Sequence, residues 1–301
     1  MTVGQALTFG SHALRSGDEP HLDAEVLLAH SIGADRSWVL AHPTTPLTVA
    51  RERRFRALVA ERRRGLPIAY LTGVKEFYGR AFRVTKATLI PRPESELLVE
   101  AALQRLPTKM NVTVADVGTG SGCLAITVAA ERPTVRIIAV DRSDAALAVA
   151  RANAHALGVA SRVRFVQGDL LTPLRTPAAL MLANLPYLTD RQANAASLRA
   201  EPRAALAAGS DGLAAYRRVF AQLAVHPTPP PVLLCEIGPG LVSGFRHLAR
   251  SAAYTVEIQR DLAGRPRLAI ATASRSSRSS GPRSRRPAGR PQQSRSGRQA
   301  R

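Results

Sequence analysis

From Val112 to about Thr272 the chain repeats one pattern, a short apolar run followed by an amphipathic stretch. The runs are VTVADV, VRIIAV, VRFVQ, AALMLA, VLLCEI, YTVEI and RLAIA. Runs that are apolar on both faces suit strands buried on both sides. The helical stretches between most of them supply the crossovers that parallel strands require. The expected fold class is therefore α/β, a mainly parallel Rossmann-like sheet covered by helices on both faces.

The first part of the chain has a different rhythm. Residues 1–73 alternate helical patterns with polar breaks. In LDAEVLLAHSIG, Leu22, Val26, Leu27 and His30 recur at three- and four-residue steps, and Gly33 ends the run. Arg51 to Arg64 forms a second amphipathic stretch with Phe55, Leu58 and Val59 on one side and arginines on the other. A small helical bundle is expected, with the arginines on a solvated face. Residues 74–90 turn β-rich, with Val74, Phe77, Phe82 and Val84 flanking Gly79, which predicts a hairpin. LIPRPESELLVE follows. Pro93 suits the first position of a helix, and Glu94 and Glu96 suit its first turn.

Charge adds a third zone. The formal net charge is +20, and nine arginines lie in residues 274–301 with no Asp or Glu. That segment has almost nothing apolar to bury, so it is expected to be disordered. Its charge suits contact with nucleic acid or another polyanion, and equally a solubilising tail with no dedicated partner. The remaining residues are also basic. Cys123 and Cys235 are far apart and the seven histidines are scattered, so neither a disulfide framework nor a metal site is expected. MTVGQALTFG lacks the charge and apolar run of a secretory signal, and no apolar stretch reaches the roughly 18 residues of a membrane span. A cytoplasmic location is expected.

Candidate chemistry gathers at the ends of the apolar runs. The first ends in Asp116-Val117-Gly118-Thr119-Gly120-Ser121-Gly122, directly before a helical stretch. Glycines there permit positive φ and a close approach of backbone to ligand, as in the nucleotide pocket of an open α/β sheet. The second run leads to Asp141, whose carboxylate can accept both hydroxyls of a ribose. The third leads to Gly168-Asp169-Leu170. No Walker Lys follows the glycines, so a triphosphate is not expected. Asp116, Asp141 and Asp169 would repel a pyrophosphate and suit a cationic ligand. S-adenosyl-L-methionine carries an ammonium, a sulfonium, a ribose and an adenine.

The fourth run delivers Asn184-Leu185-Pro186-Tyr187 to the same edge. The Asn184 side-chain oxygen and the Leu185 carbonyl are two acceptors suited to a planar NH₂ group. Pro186 fixes φ and helps aim that carbonyl, and Tyr187 can wall a flat substrate. Holding both N–H bonds turns a delocalised nitrogen lone pair toward a methyl donor, so positioning and electrostatics carry the chemistry. These residues alone leave an amide nitrogen and an adenine nitrogen equally open.

These stretches together resemble the HemK-type protein-(glutamine-N5) methyltransferases that modify peptide chain release factors. The likeness covers nearly all of residues 1–273. It rests on LDAEVLLAHSIG, PIAYLTGVKEFYG, TLIPRPESELLVE, ADVGTGSGCLAI, AVDRSDAALAVARANA, NLPY, EPRAALAAGSDGLAAYRRV, LLCEIG and RDLAGRPRLAI. The resemblance implies a helical substrate-recognition domain over residues 1–73, a β-hairpin linker over 74–90 and a seven-stranded methyltransferase domain over 91–273, followed by the basic tail, 274–301. It implies donor contacts from Gly118, Thr119, Gly120, Ser121, Gly122, Asp141, Leu170 and Asn184, to which the residue reading adds Asp116 and Asp169. It implies that Asn184, Leu185, Pro186 and Tyr187 hold the glutamine of the release factor's Gly-Gly-Gln loop.

This chain departs from the family pattern twice. Leu185 stands where the family usually has a first Pro, and Leu170 where relatives are often aromatic. NLPY is also similar to the turn of ribosomal RNA adenine-N6 dimethyltransferases, and Glu236-Ile237-Gly238-Pro239-Gly240-Leu241 resembles their donor glycine loop. In that family the donor loop precedes the turn. Here it follows, so EIGPGL is read as a strand exit and helix start. Methylation of RNA adenine is the alternative reading.

Overall fold

Local signals set the helix ends of the first zone. The computed structural model describes residues 1–109 and 111–274, and the tail expected beyond them lies outside the described residues. Thr2 caps α1 (Val3–Ala13), accepting from the Gln5 N–H while the Gln5 side chain accepts from the Thr2 N–H. α2 (Pro20–Ile32) starts on proline and stops at Gly33, whose φ of 74° is left-handed. Asp35 and Thr48 cap α3 (Arg36–Ala41) and α4 (Val49–Arg63), and α5 (Ile68–Thr72) closes the zone.

The core of this bundle contains Leu27, Leu28, Val39, Phe55 and Val59. The apolar stripe expected on α2 is displaced. Leu22, Val26 and His30 are only partly buried, while Ala24, Leu27, Leu28 and Ser31 face inward. α1, α3, α4 and α5 all pack on α2, so it is covered on several sides and a single stripe does not describe it. Arg51, Arg53, Arg54 and Arg56 of α4 are exposed.

β1 (Val74–Phe77) and β2 (Arg80–Arg83) form the hairpin, with Phe77 opposite Arg80. Tyr78 and Gly79 both take positive φ, 51° and 70°, the form of a type I′ turn whose twist matches the strands. Phe77 and Phe82 pack into the core of the following domain, beside Leu98, Ala102 and Leu124. Pro93–Ser95 makes one 3₁₀ turn before α6 (Glu96–Arg105). The Glu96 carboxylate accepts from the Tyr78 N–H at 2.9 Å and ties helix to hairpin.

The rest is a doubly wound sheet. Its elements are β3 (Thr113–Val117), α7 (Cys123–Glu131), β4 (Arg136–Asp141), α8 (Asp144–Ala156), β5 (Val163–Gln167), β6 (Leu180–Ala183), α9 (Ala214–Val225), β7 (Val232–Glu236), α10 (Val242–Ser251), β8 (Tyr254–Arg260) and β9 (Pro266–Ala273). The seven strands run in the order β5-β4-β3-β6-β7-β9-β8. β9 is antiparallel to both neighbours, and the other four pairings, all among β3–β7, are parallel, so the sheet is mainly parallel. α6, α7 and the hairpin cover one face, and α9 and α10 cover the other with Tyr216, Phe220 and Phe245. β3 lies between β4 and β6, where the winding reverses. The carboxyl ends of such strands open onto a crevice.

Asn153 on α8 joins three segments at the edge of that crevice. Its Oδ1 accepts from the Arg83 N–H at 2.8 Å, and its Nδ2 donates to the carbonyls of Arg83 at 3.0 Å and Ser121 at 2.9 Å. The side chain is 2% exposed. Asn153→Leu strands three backbone groups, so it is expected to cost about 2–4 kcal/mol of stability. Chemical denaturation of variant and wild type, compared at equal slope, checks this.

Candidate active site

The glycine turn begins where β3 stops. Gly118, Gly120 and Gly122 take φ of 75°, 56° and 82°. The N–H groups of Gly118 and Thr119 both donate to the Val140 carbonyl, which holds the turn against the end of β4. A Cβ on Gly118 would lie 2.8 Å from Leu185 Cδ2, so the glycine loop and the NLPY turn are in contact.

The three carboxylates read from the sequence occupy three different environments. Asp116 is 1% exposed beneath the loop. Its Oδ2 accepts from Thr119 Oγ1 at 2.6 Å and its Oδ1 has no protein partner. Burial pushes its carboxyl up to about 7, against the opposing effect of the Thr119 hydroxyl. Asp141 ends β4, where Oδ2 accepts from the Gly120 N–H and Oδ1 from the Ser143 N–H, each at 2.9 Å. Asp169 lies on the rim, ion-paired with Arg218 and bonded by Gln222 Nε2 at 3.3 Å. Arg218 offsets one of the negative charges that the sequence placed at this edge. Leu170 is buried beside it in a left-handed conformation, φ 52°.

Two cavities meet here. One, of about 510 Å³, is lined by Gly118, Thr119, Gly120, Ser121, Asp141, Asp169 and Leu170. The other, of about 690 Å³, reaches from Tyr187 and Glu236 to Arg62 and Pro67 of the helical zone. Asn184, Leu185 and Pro186 line both. Asp116 and Gly122 support the first cavity from behind its wall, and Tyr187 faces the second.

The NLPY turn is held from several directions. Tyr216, fully buried on α9, donates its hydroxyl to the Glu236 carbonyl at the end of the neighbouring strand. Leu185 is 4% exposed and packs on Gly118, so packing supports the turn where a second proline is missing. Gly212 and Gly238 approach Tyr187 so closely that a Cβ would meet its carbonyl oxygen at 2.5 Å and its ring at 3.3 Å. EIGPGL leaves β7 through a 3₁₀ turn, Pro239–Leu241, into α10, as its reading as a strand exit requires.

Two residues without an assigned role in the sequence reading join this turn. Asn184 Nδ2 donates to Ser95 Oγ at 2.8 Å, and Ser95 Oγ–H donates to Glu236 Oε2. Tyr187 Oη–H donates to Glu236 Oε1 at 3.0 Å. Both polar ends of NLPY thus lead to one buried carboxylate. A third, Glu201, is also buried, accepts from the Ile90 N–H at 3.1 Å and ion-pairs with Arg92, so the end of the linker is tied to the loop after NLPY. The only signal for these residues was their presence in TLIPRPESELLVE, LLCEIG and EPRAALAAGSDGLAAYRRV.

The helical zone matches the PrmC N-terminal domain over residues 5–73, and residues 94–209 match the Methyltransferase small domain. Among solved structures, the hMettl16 catalytic domain in complex with MAT2A 3'UTR hairpin 6 shares the fold. It has a TM-score of 0.53 and 16% identity over 68% of this chain and 80% of that one. Fold and site together define an S-adenosylmethionine-dependent methyltransferase of the seven-stranded class. The release factor glutamine methyltransferase of Moorella thermoacetica is 41% identical over 278 residues, covering 90% of this chain and 98% of its own. That of Cereibacter sphaeroides is 42% identical over 258 residues, covering 84% and 91%. The chain belongs to the release factor glutamine methyltransferase family. Among the described residues no helix is long and apolar enough to cross a membrane, and no cluster of His, Cys, Asp or Glu is arranged to hold a metal ion.

Proposed function

We propose that this protein transfers a methyl group from S-adenosylmethionine to the side-chain amide nitrogen of a release-factor glutamine, the one in the Gly-Gly-Gln loop. The observation that carries this reading is the position of Asn184, on the wall common to both cavities, with its NH₂ turned to Ser95. Its carbonyl oxygen is left as the acceptor for a substrate NH₂. S-adenosylmethionine, when bound, supplies a methyl group on a positively charged sulfur.

The residues of the 510 Å³ cavity suit that donor. Asp141 offers carboxylate lone pairs for a ribose, the glycine loop admits close approach, and Leu170 offers an apolar wall to adenine. Ser121, on the wall of this cavity, has a buried Oγ without a protein partner, which suits a ligand with N–H donors nearby.

On the other side, Asn184 Oδ1 and the Leu185 carbonyl accept the two N–H bonds of the glutamine amide. That grip favours pyramidalisation at nitrogen and turns its lone pair toward the first cavity. Pro186 restrains the turn and the Tyr187 ring walls the amide plane. The methylated nitrogen is acidic and loses its extra proton without a strong base. The 690 Å³ cavity, with Arg62 and Arg92 on its walls, gives room for the loop that carries the glutamine.

Incubation with radiolabelled S-adenosylmethionine and a release factor tests this. Label is expected on the intact factor and absent from a factor whose loop glutamine is changed to Ala. Equal labelling of both overturns the substrate assignment, and labelling of ribosomal RNA in place of protein favours the adenine alternative.

A further inference from the structure

We propose that Ser95 and Glu236 act as a positioning pair that fixes the polarity of the Asn184 amide and seats Tyr187, so that NLPY presents acceptors to the substrate. The proposal rests on the glutamine reading of the site and adds two residues to it. The three segments involved are distant in sequence. Ser95 ends the 3₁₀ turn before α6, Asn184 follows β6, and Glu236 ends β7, the parallel neighbour of β6.

The argument is one of donor and acceptor counting. An ionised carboxylate has no proton to give. Glu236 Oε2 therefore takes the single hydroxyl proton of Ser95. Ser95 Oγ can then only accept from Asn184, and the amide must turn its Nδ2 toward it, as observed at 2.8 Å. The remaining amide atom, Oδ1, is the acceptor left for the cavities. A reversed amide would oppose N–H to N–H at the substrate and leave Ser95 facing an oxygen with no proton to share. Glu236 Oε1 fixes the phenol of Tyr187 in the same way.

The neighbouring donors support this proton arrangement against the effect of burial. Glu236 is 1% exposed, and burial raises its carboxyl. The Ser95 and Tyr187 hydroxyls and the Arg267 guanidinium oppose that shift, while Glu94 adds to it. Arg267 also lies 3.6 Å from Glu94, so the second carboxylate is partly compensated. Burial and the Glu236 charge push the Tyr187 phenol well up, which keeps it a donor. Cys123 and Tyr216 also feel the Glu236 charge; burial pushes the thiol up to about 12 and the phenol well up, so both stay neutral.

The test uses the full chain with Ser95→Ala and Ser95→Thr. Ser95→Ala is expected to lower kcat about 10- to 100-fold while the dissociation constant of S-adenosylmethionine changes by less than about threefold. Ser95→Thr keeps the hydroxyl and is expected to restore kcat to within about threefold of wild type. Hydrogen exchange at the Asn184 side-chain NH₂, followed by NMR in the wild-type protein, supplies a readout that needs no substrate. Exchange at least about tenfold slower than at exposed asparagines is expected, because one hydrogen is held by a buried partner. Wild-type kcat in Ser95→Ala overturns the proposal, as does fast exchange at Asn184 in the wild-type protein. Failure of the wild-type protein to methylate release factor sinks the substrate reading instead, and the exchange measurement still decides the positioning role. It decides alone if Ser95→Ala does not fold.

Discussion

Asn184→Ala is expected to lower turnover roughly 100- to 1,000-fold while S-adenosylmethionine binds within about threefold of its wild-type affinity. The split follows from where the side chain sits. The donor cavity keeps its glycine loop, Asp141 and Leu170 in the variant, so most of its contacts survive. The substrate side loses the amide oxygen assigned to the substrate NH₂. An amide nitrogen shares its lone pair with its own carbonyl, and the Leu185 carbonyl is then the one assigned acceptor left to hold its hydrogens. One remaining acceptor leaves the NH₂ free to rotate back into conjugation. Alanine also leaves Ser95 Oγ without the amide that it accepts from, so no new group takes over the role. Single-turnover kinetics with donor in excess, beside calorimetric titration of the donor, separates the two effects. Near-normal turnover with normal donor affinity counts against the amide clamp.

Much of this arrangement was legible in the sequence because its signals are local. Each of the seven apolar runs became a strand, and the Gly118–Gly122 turn and NLPY lie at strand ends because a run that stops at glycine or proline has to turn there. Gly79 marked its hairpin for the same reason. What the sequence hid depends on residues far apart in the chain. Ser95 and Glu236 are 141 positions apart and meet only because β7 lies beside β6 with α6 packed over them. Asn153 reads as one polar residue in an alanine-rich helix, yet it clamps Arg83 and Ser121. Asp169 read as one carboxylate of three, and its neutralisation by Arg218 required α9 to fold back along the same edge. The displaced stripe on α2 has a related cause, since its periodicity assumed one buried face and the bundle supplied several.

Asp141→Ala is expected to produce the opposite split, weakening S-adenosylmethionine binding about 100-fold or more with little change in kcat once donor is saturating. A carboxylate offers about four acceptor positions. The Gly120 and Ser143 N–H groups use two of them. The remaining lone pairs face the cavity and suit the two hydroxyls of a ribose. Hydrogen bonds to a charged group contribute about 1.5–3 kcal/mol each, so losing two reaches the expected change in affinity. The glycine loop loses an anchor as well, because the Gly120 N–H no longer has its carboxylate. Asp141→Asn separates these contributions. Its amide has one acceptor oxygen, so it can satisfy only one of the two backbone N–H groups and must turn its NH₂ toward the other. It is expected to bind donor more weakly than wild type and to be less stable than a simple loss of charge predicts. Calorimetric titration with S-adenosylmethionine and with S-adenosylhomocysteine, which lacks the sulfonium charge, checks both variants. Equal weakening toward the two ligands assigns Asp141 to the ribose. Weakening confined to S-adenosylmethionine assigns it to the positive charge, and wild-type affinity in Asp141→Ala removes it from the donor site.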